Sequence, residues 1–128
     1  MKATPKYPLG REAGRVFAAF AVVRVGSQIW ATTRDGGAIG LPGGKREAGD
    51  DGVTTARRCA AEGGLHLCGA GRLIRTALVE GRVVQWVEFD AALPLRQWKE
   101  QRSGTRPVLA STEAVANSGY GNDFLIKD

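Results

Sequence analysis

Leu41-Pro42-Gly43-Gly44-Lys45-Arg46-Glu47-Ala48-Gly49-Asp50, followed by Asp51 and then Val53 to Glu62, is the most unusual part of the sequence. Between Pro42 and Asp51 stand Pro42, Gly43, Gly44 and Gly49 together with Lys45, Arg46, Glu47 and Asp50. That mixture of breakers and charges rules out a helix and indicates an exposed, shaped loop. From Val53 the pattern turns helical, with Val53, Ala56 and Ala60 on one stripe and Arg57 and Glu62 off it. Asp50 or Asp51 is placed to cap the helix, and Gly63-Gly64 ends it.

Working outward, Arg15 to Val25 is rich in Val, Phe and Ala, and Gln28 to Thr33 resumes the extended pattern after Gly26-Ser27, which is a hairpin signal. Asp35-Gly36-Gly37 marks a second turn, and Ala38 to Leu41 a short strand. On the other side, Leu65 to Leu67, Arg72 to Glu80 and Arg82 to Phe89 read as strands, the last two joined at Glu80-Gly81. Leu93 to Arg106 reads as a polar, irregular connection, Ser111 as the N-cap of a short helix through Asn117, and Phe124-Leu125-Ile126 as a segment packed back on the core. Strands, a glycine-rich loop, one helix, more strands and a final helix describe an α+β mixed sheet with helices packed on it.

The chain of 128 residues has the length of a single domain, spanning 1–128 with a loose arm over 1–14, where Pro5, Pro8 and Gly10 interrupt regular structure. Its 43% hydrophobic and 24% charged residues match soluble globular domains, so it is expected to fold alone. No apolar run is long enough for a membrane span, since Arg24 interrupts Val16 to Val25, and no signal-peptide order is present. A cytoplasmic location, with no membrane partner, is the expectation. Cys59 and Cys68 do not make a disulfide framework. The net charge of +5 suits phosphate-bearing partners. No recognised nucleic-acid motif appears, which argues for a small nucleotide-type ligand over nucleic acid, and a homodimer is compatible with the sequence.

The segment from Leu41 to Asp50, leading into a helix that carries Arg57-Arg58 and Glu62, resembles the Nudix box, GX5EX7REUXEEXGU. The resemblance implies the Nudix fold, with the box helix and a C-terminal helix packed on the mixed sheet. Two registers fit. Ungapped, counting from Gly44, Asp50 takes the glutamate position, Arg58 the arginine, Cys59 the first catalytic glutamate, and Glu62-Gly63 the second pair. With one residue deleted in the loop, Arg57 is the arginine, Arg58 and Ala61 replace two glutamates, and Glu62-Gly63-Gly64-Leu65 closes the box. Glu62 survives in both.

The family hydrolyses nucleoside diphosphates linked to another moiety, using Mg2+ or Mn2+ held by box glutamates. Mg2+ wants hard oxygen ligands and keeps several waters, so carboxylates one helical turn apart can clamp it while substrate phosphates complete the shell. Carried over by position, the catalytic residues are Glu62 and Arg58, and the metal site is Glu62 with Gly44, Glu47 and Asp50. Lys45, Arg46 and Trp98 are the candidate substrate contacts, Trp98 because Arg96, Lys99, Arg102 and Arg106 surround it in sequence and a ring among cations can stack a base, the alternative being a solvated loop with Trp98 folded inward. Losing two of three glutamates removes both charge and ligands. The metal is expected to bind weakly and hydrolysis to be impaired, by roughly a hundred- to ten-thousandfold if the missing acid was the general base. A catalytically inactive module that binds a nucleotide or a partner is the alternative.

Other constellations carry less. Cys59, His66 and Cys68 lack the spacing of a zinc site, Ile39 stands where a phosphate loop needs its first glycine, and Gly69-Ala70-Gly71 opens a strand and so reads as a turn.

Overall fold

A computed structural model describes residues 16–34, 37–95, 104–119 and 121–126. The expected arm over 1–14, and Arg96, Trp98, Lys99 and Arg102, lie outside the described residues.

The strands are β1 (Ala18–Val22), β2 (Arg24–Val25), β3 (Gln28–Arg34), β4 (Ile39–Gly40) and β5 (Gly43–Lys45), then helix α1 (Gly52–Glu62). β6 (Leu65–Cys68), β7 (Arg72–Val79), β8 (Arg82–Glu88), β9 (Ala91–Pro94) and β10 (Thr105–Ser111) follow, with α2 (Thr112–Ala116) and a 3-10 turn over Asn122–Ile126 at the end. One sheet runs β5-β1-β8-β7, a second β10-β3-β2 with β4 also on β3, and β6 pairs with β9. β1 and β8 are parallel and the other pairs antiparallel, so the architecture is the mixed α+β type expected.

Local chemistry explains most of the boundaries. The Asp51 carboxylate accepts from the Thr54 backbone N–H at 2.8 Å, so Asp51 is the N-cap of α1. Gly63 is the C-cap, and Gly64 at φ +95° turns the chain into β6. The β7–β8 hairpin turns on Glu80 (φ +54°) and Gly81 (φ +80°), two consecutive positive torsions that match the twist of the flanking strands. Ser111 caps α2 through the Ala114 N–H, and Asn117 is its C-cap.

The buried face of α1 is Gly52, Thr55, Ala56 and Ala60, all small, which lets the helix lie close on the sheet. One core cluster joins Ala56 and Ala60 to Ala19, Ala21, Leu65 and Val87. A second gathers Ile29, Ala31, Val84, Trp86, Val115 and Leu125 on the other side, where the Trp86 indole N–H donates to Asn122 Oδ1 at 3.0 Å. Leu125 thus packs on the core as the sequence suggested, whereas Ile126 is exposed.

Three expectations need correction. The hairpin at Gly26-Ser27 exists only at its tip, where β2 pairs with β3; β1 leaves for the other sheet and lies along β8. Part of the expected loop is strand, because β5 pairs antiparallel with β1 through Ala18↔Lys45, Ala19↔Gly44 and Phe20↔Gly43. Finally, the stretch read as irregular contains the end of β9 and the start of β10, which pairs with β3 from Thr105↔Arg34 to Ser111↔Gln28. Pro107 disguises β10, yet a proline is tolerated there because β10 is an edge strand. No helix among the described residues is long and apolar enough to cross a membrane.

Candidate functional site

The loop is held against β1 at both ends. Ala21 N–H donates to Pro42 O at 2.7 Å and Arg46 N–H to Phe17 O at 3.0 Å, so the backbone from Gly43 to Arg46 follows β1 closely. Beyond it, Asp50 N–H donates to Glu47 O and Gly49 adopts φ +87°, turning the chain into α1. This brings the Lys45 carbonyl and the Glu47 carboxylate beside Arg58 of the helix.

A cleft of about 780 Å3 opens there. One wall is Gly43 to Glu47 with Arg58, Cys59 and Glu62 of α1; the other is Thr32, Thr33 and Arg34 of β3 with Ile39 and Gly40 of β4, and Thr105 of β10 joins them. Four basic residues, Arg34, Lys45, Arg46 and Arg58, and two acidic ones, Glu47 and Glu62, line it, with the Lys45 ammonium 5.6 Å from the Phe17 ring centroid, so the lining favours an anion.

Arg58 is the hub. Its Nε lies 3.4 Å from Asp50 Oδ2, its Nη1 lies 3.3 Å from Glu62 Oε2 and 3.7 Å from Glu47 Oε2, and its Nη2 donates to Lys45 O at 3.0 Å. Burial on its own would lower the pKa of this guanidinium. The electrostatic influence of Cys59 and Glu47, with the bonds to Asp50 and Glu62, outweighs that and raises it, so Arg58 is a permanent cation.

Arg57, its neighbour, does none of this. Its guanidinium donates to Leu67 O at 3.0 Å and to Gly69 O and lies 4.8 Å from the Phe89 ring centroid, tying the helix to β6 on the side away from the cleft. Of the two box registers, the ungapped one therefore places its arginine, Arg58, and its first substituted acid, Cys59, on the cleft. A Cβ on Gly63, the second substituted position, would meet the Thr32 and Thr105 methyls. Ala61 of the gapped register is not a lining residue.

Of the residues singled out from sequence, Gly44, Lys45, Arg46, Glu47, Arg58 and Glu62 line this cleft, and Asp50 borders it through Arg58. Gly44 lies directly against Cys59, with space for a Cβ only 3.2 Å from Sγ. Cys59 is on the cleft while Cys68 is on β6, neither is in a disulfide, and no group of three or more His, Cys, Asp or Glu among the described residues is arranged to hold a metal ion. Thr32, Thr33, Arg34 and Thr105 were not anticipated. Nothing local marks them, since they reach the site only because β3 and β10 pass opposite α1.

No protein-family model matches the sequence, and no curated protein sequence matches it. Solved structures do. A MutT mutator protein from Bacillus halodurans superposes with a TM-score of 0.62 at 16% identity, over 87% of this chain and 79% of that one. A MutT Nudix hydrolase from Burkholderia pseudomallei gives 0.63 at 16% identity, over 87% and 94%. An ADP compounds hydrolase gives 0.55 at 13%, over 73% of this chain and 56% of that one. Identities this low speak for architecture alone, and together with the strand order, the tied-down loop and the helix behind it they give this chain the Nudix fold.

Proposed function

We propose that the cleft binds a small nucleotide-type ligand, a nucleoside diphosphate linked to another moiety, and that this Nudix-fold protein hydrolyses it slowly at best. One observation carries the reading: Lys45, Arg46, Arg34 and Arg58 surround a cleft that also contains Glu62, the box acid common to both registers. Lys45 and Arg46 take the phosphates, and a solved neighbour named for ADP compounds is consistent with a diphosphate.

The Mg2+ or Mn2+ that Nudix hydrolases use fits these residues poorly. A hard divalent ion would need the oxygens of Glu47, Asp50 and Glu62, and all three face the Arg58 guanidinium. Cys59 offers a thiol and Gly63 no side chain at the other box positions. That same observation favours a second reading, a binding module without hydrolysis.

A thermal-shift screen of nucleoside diphosphate derivatives, paired with a hydrolysis screen in Mg2+ and Mn2+, tests both. A true ligand at a hundred times its Kd stabilises the fold by about 2.7 kcal/mol, a shift of several degrees. Cys59→Glu combined with Gly63→Glu restores the acids of the ungapped register, and Gly63 at φ −91° accepts a side chain without left-handed strain. If the wild type is a slow hydrolase, this variant turns over the same ligand about a hundredfold faster or more. Binding without turnover in either protein selects the module, and no stabilising ligand at all overturns the reading.

A further inference from the structure

Glu47, Asp50 and Glu62 come from the loop, the helix entrance and the last turn of α1, and they converge on one side chain. Arg58 meets the three carboxylates at 3.3 to 3.7 Å and spends a further donor on Lys45 O, so its guanidinium is fixed from four sides. A guanidinium does not deprotonate in proteins, is weakly hydrated, and matches carboxylates with a planar fork. A divalent ion competing for the same oxygens must expel it and then satisfy a tight octahedral shell. Being part of the chain, Arg58 cannot be diluted away.

We propose that Arg58 is a built-in cation that occupies the carboxylate cluster of the cleft, so that the protein excludes divalent metal and recognises its phosphate-bearing ligand without it. The basic residues not bound to those acids, Arg34, Lys45 and Arg46, then supply the attraction that a bridging metal would otherwise provide. Arg34, Lys45 and Arg46 meet the phosphates, while Arg58 offsets part of the negative charge of the acids that would repel them. The metal exclusion rests on the geometry of Arg58; its consequence for the ligand rests on the function proposed above.

Mn2+ is the probe for the first part, read on the unliganded full chain by loss of the free-ion paramagnetic resonance signal. The wild type is expected to take up none at submillimolar Mn2+. Arg58→Ala and the more conservative Arg58→Gln, each checked for folding by circular dichroism, remove the cation that Glu47, Asp50 and Glu62 share and are expected to bind Mn2+ at least about tenfold more tightly. Glu62→Gln added to either variant abolishes the gain. ADP is the probe for the second part, by calorimetry in chelator and then in Mg2+. The wild-type affinity is expected to change by less than about threefold between the two, whereas the Arg58 variants become Mg2+-dependent.

Submillimolar Mn2+ uptake by the wild type overturns the proposal, as does a folded Arg58 variant that gains none, or wild-type ADP binding that needs Mg2+. If both variants fail to fold, the wild-type Mn2+ measurement decides alone. Failure of ADP and related diphosphates to bind any of these proteins counts against the proposed ligand, and the Mn2+ results still decide the role of Arg58.

Discussion

Replacing Gly43 with alanine tests whether the approach of the loop to β1 is as tight as its backbone indicates. A Cβ at Gly43 would collide with Ala19 O and would lie 2.5 Å from Phe20 Cδ1 and 2.7 Å from Phe20 Cα, where carbon atoms prefer about 3.5 Å or more. Two of these obstacles are backbone, so no rotamer change relieves them. β5 must move by about 1 Å, against ladder pairs that hold Gly43, Gly44 and Lys45 to β1. Overpacking of this kind costs about 1 to 3 kcal/mol, and φ +157° adds strain of similar size, so the expected loss is about 2 to 6 kcal/mol.

Gly49→Ala is the control. Gly49 also has positive φ, +87°, but a Cβ there meets nothing within 4 Å, so the expected cost is only the torsional strain of about 1 to 2 kcal/mol. In urea unfolding followed by circular dichroism, slopes of about 1 to 3 kcal/mol/M translate these into midpoint losses near 2 M for Gly43→Ala and under 1 M for Gly49→Ala. The reasoning fails if the Gly43 variant is no less stable than the Gly49 variant at an unchanged slope.

Arg57→Ala removes the donors to Leu67 O and Gly69 O and the contact over Phe89, which should cost about 1 to 3 kcal/mol in urea unfolding while leaving ADP affinity within about twofold of wild type; a loss of affinity without loss of stability would place Arg57 in the site instead. Asp51→Ala should cost about 1 kcal/mol through loss of the helix cap, and Asp51→Asn much less. Hydrogen bonds from the Thr54 backbone and side chain hold the Asp51 carboxyl below its ordinary 3.8. The stability tied to its charge is therefore present above that value and is lost as pH falls through the depressed one, so the gap between wild type and Asp51→Asn should close in acid and stay constant at neutral pH. A gap that widens on acidification would refute the assignment.

The loop and α1 were legible from sequence because their information is local. Proline, glycines and charges fix what Pro42 to Asp51 cannot be, Asp51 supplies an oxygen to an orphan helix N–H, and Gly64 at φ +95° ends the helix where a side chain would resist. The box resemblance added the fold. The sequence left undecided which of two adjacent arginines enters the cleft, since Arg57 and Arg58 differ by a rotation of about 100° around the helix. Packing of Thr55, Ala56 and Ala60 on the sheet sets that rotation and turns Arg58 to the carboxylates. β10 escaped notice for a related reason: Pro107 breaks its pattern, and only the partner strand β3, some 75 residues away in sequence, satisfies its backbone. Strand partners and helix rotation depend on contacts between distant parts of the chain, and the same contacts bring Thr32, Arg34 and Thr105 opposite Glu62 to make the cleft.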